Sequence, residues 1–419
     1  MIAKDHESVN ARVPVLILGG GSITGPAVTR IFHQAGLETY NVEAEPALAA
    51  HCRYYRPLVS SSALRAESSR LPEILAELPF PSAFLIACSD DWLQALARLP
   101  EDLRHCFPSC SPPAETVEIL VDKWKFAERL EQLNIPHPPT RLIESLEQLE
   151  MLDEREFGGA FLKPMNSVEF ARIYGLKGIL FDSKVEAIQR MRGVAFPILI
   201  QKFIGGPATA HYFIDGFVDR NGVISHFARR RLRMHSRQVG CSTYMISVPP
   251  ERVAPAVRSL DIMLSNLDYR GIFNAEFKYD EEDGQFKLIE VNARPWIFVE
   301  FAARAGVNVC LMAYRDAMGL PVAPVARYQV GRRCVHFLQD FRAFRDERRL
   351  GHLGLWSWLS SIAGADEAMF RWSDPGVAIM ELLVSIRSYW RRLINERWRG
   401  QGRKVGQPAV TVAAAERTP

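Results

Sequence analysis

The run Val13-Pro-Val-Leu-Ile-Leu18 ends in Gly19-Gly-Gly-Ser-Ile-Thr-Gly25, and Pro26-Ala-Val-Thr-Arg-Ile-Phe32 follows at helical spacing. A short apolar strand, a glycine turn and a helix form the unit from which parallel sheets are built. Leu37–Val42 reads as a second strand, and Ser82–Cys88 as a third, ending in Ser89-Asp90-Asp91. Apolar strands alternating with helices predict a parallel sheet covered on both faces, here over about residues 10–120. Gly19, Gly21 and Gly25 give G-x-G-x-x-x-G, one residue longer than the dinucleotide fingerprint, and Glu43 and Glu45 stand about where a ribose-binding acid falls. A nicotinamide enzyme stays open on this loop alone. Asp90 reads equally as a ligand-facing residue at a strand end or as a helix cap.

The chain has 419 residues, of which 48% are hydrophobic and 24% charged. That balance excludes disorder and fibre, and the length predicts two or three domains. Net charge is only +3, which provides no global field for nucleic acid, so none is expected as a partner. From Arg387 to Lys404, however, seven basic residues face the single acid Glu396, a local net of +6 that leaves −3 on the remainder. The seven cysteines are odd in number and scattered, and read as reduced, packed thiols without a zinc pattern. The polar Met1–Val13 segment lacks a signal-peptide core and no run reaches a membrane span, so a cytoplasmic location is expected.

A second domain is expected over 121–328. Asp122–Leu133 has the pattern of an amphipathic helix and stops at the prolines of Asn134-Ile-Pro-His-Pro-Pro139. A smaller subdomain, about 140–205, holds Gly159-Ala-Phe-Leu-Lys-Pro164 and the strand Phe196–Ile204. The clearest hairpin runs Gly271–Tyr279, turns at Asp280-Glu-Glu-Asp-Gly284 and returns over Gln285–Asn292. Residues 329–404 read as a helical, Trp-rich extension and 405–419 as a flexible tail. No internal repeat is present.

Period-two alternation puts Asn274, Glu276 and Lys278 on one face of the hairpin, and Leu288, Glu290 and Asn292 together on the returning strand. Glu276 then meets Glu290 and Asn292 across the ladder. Two carboxylates and an amide oxygen suit Mg²⁺, a hard cation that also takes substrate phosphates. A solvated hairpin face is the plainer alternative.

The order Asp122-Lys123, Leu162-Lys163-Pro164, Gln201-Lys-Phe-Ile204-Gly205, Asn274-Ala-Glu276-Phe and Ile289-Glu290-Val-Asn292-Ala-Arg294-Pro resembles the ATP-grasp superfamily. With Leu18-Gly-Gly-Gly-Ser, Ser89-Asp-Asp-Trp and Tyr269-Arg-Gly-Ile-Phe273, it is similar to the branch of carbamoyl-phosphate-synthase large-subunit domains and D-aspartate ligases. The resemblance covers about residues 13–325. It implies an α/β and α+β multidomain fold: a Rossmann-like preATP-grasp domain, an ATP-grasp domain of two α+β subdomains, then the helical extension. By the same resemblance, Lys123 and Lys163 clamp the nucleotide phosphates, and Gln201, Lys202, Phe203 and Ile204 hold adenine. Glu276, Glu290 and Asn292 take two Mg²⁺ ions, or Mn²⁺ in their place, Arg294 steadies an acyl phosphate, and Arg233 faces an anionic group of the acceptor.

The implied activity is a carboxylate-amine ligase acting through an acyl phosphate on small-molecule substrates. A carbamoyl- or carboxyl-phosphate-forming enzyme and a non-catalytic ATP-binding protein remain alternatives. One departure is plain: Met165–Tyr174 contains no glycine before Gly175, so the phosphate lid of the family is altered, with Gly175, Lys177 and Gly178 as substitutes. The tract Arg229–Arg237 reads as a route to the acceptor pocket, a charged strand edge or a nucleic-acid patch. The basic C-terminal helix is expected to dock on its own catalytic domain or in a homodimer, with peripheral membrane contact as the lesser reading.

Overall fold

The computed structural model describes residues 13–21, 23–42, 48–58, 67–164, 179–181, 183–192, 194–236 and 240–400; the side chains of 163, 164, 179 and 392–400 are not described. Glu43, Glu45, Gly175, Lys177 and Gly178 lie outside these residues.

The expected first sheet forms from β1 (Val15–Leu18), β2 (Thr39–Val42) and β3 (Phe84–Ala87), all parallel in the order β2-β1-β3. All four residues of β1 are fully buried, as a parallel strand covered on both faces requires. The glycine loop is closed by packing. A Cβ on Gly25 would stand 1.6 Å from the Gly20 carbonyl oxygen, and Gly19, at φ +71°, lies against the indole of Trp92. The loop's first and last glycines therefore serve close approach of the chain to itself.

The smaller subdomain comprises β4 (Thr140–Ile143), β5 (Ala160–Pro164), β6 (Ile179–Phe181) and β7 (Ile198–Lys202), antiparallel in the order β4-β7-β5-β6. Helices Leu146–Met151 and Lys184–Met191 accompany it, and Leu149, Phe157, Phe181 and Ala187 fill its separate core.

The large sheet comprises β8 (His211–Val218), β9 (Ile224–His235), β10 (Cys241–Ser247), β11 (Gly271–Asp280), β12 (Gln285–Asn292), β13 (Arg333–Val335) and β14 (Asp366–Glu367), in the order β12-β11-β8-β9-β10-β13-β14. The last two strands come from the region read as helical, which both continues the sheet and supplies the helices Phe337–Arg349, Leu355–Ile362 and Gly376–Gly400. Buried ion pairs fasten it: Arg30 of the first domain meets Glu300 at 2.9 Å and Asp374 at 3.2 Å, and Arg371 meets Glu300 at 2.7 Å. Buried charges persist only when paired in this way.

Five of the seven cysteines are buried or half-buried as expected, but Cys106 and Cys241 are exposed.

Candidate active site

The hairpin β11–β12 brings the expected oxygen donors together. Glu276 stands opposite Glu290 in register and Asn274 opposite Asn292. Phe273, Ala275 and Phe277 are fully buried on the core side. The polar face is only partly solvated: Asn274 is 7% and Lys278 5% exposed, while Glu290 is exposed.

One detail departs from strict alternation. The register slips between Glu276 and Phe277, so that Phe277 pairs with Leu288 and Ile289 forms a bulge. Leu288 therefore turns into the core, fully buried, while Glu290 stays exposed on the other face. A bulge re-aims side chains, here separating the carboxylate from the apolar residue expected beside it.

Glu276 is held by two partners that composition did not reveal. Arg231 Nη2 donates to its Oε1 at 3.0 Å, and His211 Nδ1 lies 2.8 Å from the same oxygen. Burial pushes the Glu276 carboxyl up, but the Arg231 charge and the His211 contact outweigh it and bring its pKa down to about 2. Burial holds the His211 imidazole below its ordinary value, against the pull of Glu276. Asn292 Nδ2 donates to Glu290 Oε1 at 3.0 Å, and its Oδ1 accepts from Arg294 Nη2 at 3.3 Å. The donors are hard oxygens, one of them firmly ionised, which suits Mg²⁺. Among the described residues no cluster of three or more His, Cys, Asp or Glu is placed to hold a metal.

Arg294 forms a two-pronged pair with Asp90, which follows β3 of the first sheet, Nε to Oδ1 at 2.6 Å and Nη2 to Oδ2 at 3.2 Å. Asp90 opens the helix Asp90–Ala97, yet its carboxylate goes to Arg294.

The tract from Arg229 lies in β9, a central strand between β8 and β10, not at an edge. Alternate arginines each meet a carboxylate: Arg229 pairs with Asp215, Arg231 with Glu276, and Arg233 with Asp340 through Nε at 3.0 Å and Nη2 at 2.8 Å. Arg229 and Arg231 are 2% and 3% exposed, which excludes a surface nucleic-acid patch at these two positions. Arg233 also donates to Ser361 Oγ at 2.9 Å and stacks on Tyr244, so its guanidinium holds the C-terminal helices. Arg231, two residues earlier, is the arginine that reaches the hairpin donors.

The end of β7 and the segment after it lie against the hairpin. Lys202, at the end of β7, reaches Glu282 in the hairpin turn at 2.6 Å, and this contact raises the lysine's pKa. Lys278 lies 5.1 Å from the Phe203 ring centre. Gln201 Nε2 donates to Thr140 Oγ1 at 2.7 Å, Phe203 N donates to the Gly159 carbonyl at 2.9 Å, and Ile204 is buried. The segment 201–204 thus meets the hairpin at its turn and at Lys278. Lys123 is the first residue of the helix Lys123–Gln132, whose N-cap Asp122 accepts from Trp124 N and Lys125 N. After this helix, the Pro136 carbonyl accepts from Leu288 N of β12 at 2.8 Å. The Lys163 backbone pairs with Leu199, beside the same linker strand.

This fold is shared with solved structures. The N5-carboxyaminoimidazole ribonucleotide synthetase of Thermus thermophilus superposes with a TM-score of 0.59 at 18% identity, over 76% of this chain and 81% of its own. The chain has the ATP-grasp fold. In sequence it is 23% identical over 243 residues to a D-aspartate ligase of Enterococcus faecium (strain Aus0004), covering 55% of this chain and 58% of that protein. It is 24% identical over 336 residues to the carbamoyl phosphate synthase large chain of Xanthomonas axonopodis pv. citri (strain 306), covering 74% of this chain and 30% of that one. The chain therefore spans little more than half of one curated relative and under a third of the other. No protein-family profile matches it.

Proposed function

We propose that this ATP-grasp chain is an ATP-dependent ligase that joins a small carboxylic acid to an amine. The observation that carries the reading is the register pairing of Glu276 with Glu290 on a hairpin whose turn and Lys278 meet the linker end at Lys202 and Phe203. Main-chain groups of 201–204 and the Lys202 stem take the adenine side, and Lys123 and Lys163 take the phosphates. Glu276, Glu290 and the Asn292 oxygen would hold two Mg²⁺ ions, or Mn²⁺. Bound there, the metal supplies positive charge against the nucleotide's β- and γ-phosphates.

The acid's carboxylate oxygen attacks the γ-phosphorus, the bond from that phosphorus to the bridging oxygen breaks, and ADP leaves. Arg294, aimed by Asp90 and Asn292, steadies the acyl phosphate with its planar fork. The amine then attacks the carbonyl carbon, loses a proton and displaces phosphate to give the amide. Arg231 and His211 hold Glu276 in place throughout. The D-aspartate ligase similarity supports an amino-acid partner. The carbamoyl phosphate synthase similarity, over the longer stretch of chain, favours a second reading in which bicarbonate replaces the acid and gives carboxyl phosphate.

Screening ADP release over acids, amines and bicarbonate separates the two: the first reading predicts release that needs a paired acid and amine, the second release that needs bicarbonate. Acid-dependent release that continues at full rate in Glu290→Ala would overturn the site assignment.

A further inference from the structure

We propose that the outer face of the C-terminal helix Gly376–Gly400 docks on the surface of an anionic membrane, lying in the plane of the lipid headgroups. The helix has an inward face that is held by the rest of the chain and an outward apolar face that is not covered by the described residues. Val377 is fully buried and Glu381 is 8% exposed; Glu381 pairs with His336 at 2.7 Å, and Ser385 accepts from Arg342 at 3.3 Å. On the opposite face Ile379, Leu382, Leu383, Ile386 and Trp390 recur at spacings of three and four. Their exposures run from 44% to 58%. Nothing among the described residues covers them.

This stripe lies in a region of unusual surface. Of the 19 large hydrophobic residues exposed among the described residues, 13 fall between Phe337 and Trp390, including every exposed Phe, Tyr and Trp. Trp356 is 81% and Trp372 91% exposed. Exposed single apolar residues are ordinary, but a helical stripe of them with aromatic company marks a contact surface. Indole and phenol rings suit the headgroup boundary, where one edge meets hydrocarbon and the other water.

Charge decides which contact. The one carboxylate between Gly376 and Arg391, Glu381, points inward to His336, while Arg387 and Arg391 are exposed beside the stripe. By sequence the stretch from Arg387 to Lys404 carries +6. A second copy seated on the stripe about a two-fold axis would bring two such stretches together, like charge against like. Anionic lipid matches both the charge and the stripe. No helix among the described residues is long and apolar enough to cross a membrane, so the helix lies on the surface instead of spanning it.

The full chain is tested by co-sedimentation with vesicles of phosphatidylcholine alone and of equal parts phosphatidylcholine and phosphatidylglycerol. Binding is expected to the mixed vesicles only, and to weaken as salt is added. Arg387→Glu with Arg391→Glu is expected to weaken partitioning by at least about tenfold, and Ile386→Asp with Trp390→Asp to do likewise. Unchanged Mg·ADP affinity in both variants shows that they are folded. Equal binding to neutral vesicles, no binding at low salt, or a stable dimer that the Ile386→Asp, Trp390→Asp variant splits into monomers would each overturn the proposal.

Discussion

Arg294 and Asp90 are 204 residues apart and joined by two hydrogen bonds, 2.6 Å and 3.2 Å long, across the boundary between the first sheet and the hairpin. Asp90 ends the turn after β3, and Arg294 follows β12 by two residues. The Asp90 charge raises the Arg294 pKa further, against the opposing effect of burial. A residue beside the first sheet therefore aims a guanidinium beside the hairpin. Asp90→Asn is expected to lower substrate-dependent ADP formation about tenfold, roughly 1.4 kcal/mol of barrier, while leaving Mg·ADP affinity within about twofold. Steady-state kinetics beside calorimetric titration checks both numbers.

Asp340 is fully buried and accepts from Arg233, from Thr243 Oγ1 at 2.7 Å and from Trp358 Nε1 at 2.8 Å. Asp340→Ala leaves three donors facing a void, one of them charged. Urea unfolding is expected to show a loss of about 3–5 kcal/mol. A loss below about 1 kcal/mol would mean that the C-terminal helices are not held by this carboxylate.

Much of this architecture is legible in the residue order. The apolar runs at Val15 and Phe84 announce the parallel sheet, and the alternation of Asn274, Glu276 and Lys278 announces the donor face. The bulge at Ile289 is not legible, because strict alternation across Leu288, Glu290 and Asn292 looks regular until pairing reveals the slip. The roles of Arg229, Arg231 and Arg233 also escape the sequence. Each is decided by a carboxylate 14, 45 or 107 residues away, and only the neighbours chosen by the sheet show which arginine is structural. His211 stands alone in the sequence and gains its place only because β8 pairs with β11.

Asp316 accepts from Arg220 Nε at 3.0 Å and Arg270 Nη2 at 2.6 Å. Burial pushes its carboxyl up, but hydrogen bonds from Arg220 and Arg270 prevail and bring its pKa below the ordinary 3.8. A depressed carboxylate contributes its stability in full above the unfolded value and loses it as pH falls through the folded one. Wild type is therefore expected to exceed Asp316→Asn by about 2 kcal/mol near neutrality. The gap closes as the pH falls below 3.8. Urea midpoints measured down the acid range give the comparison.

Cys106 and Cys241 are exposed, whereas burial pushes the Cys110, Cys310 and Cys334 thiols above their ordinary pKa. A thiol-exchange reagent is expected to label two cysteines rapidly in the native protein and the other five only on unfolding. Mass mapping of the labelled peptides identifies them.

The central claim is that the β11–β12 carboxylates hold the metal of a bound nucleotide, and calorimetric titration of Mg·ADP into wild type and Glu290→Gln tests it most directly. Glu290 is exposed and the amide is nearly the same size, so the fold survives the change. Wild type is expected to bind in a Mg²⁺-dependent way, and Glu290→Gln at least about tenfold more weakly. Equal affinity in the two proteins, or binding that ignores Mg²⁺, would contradict it.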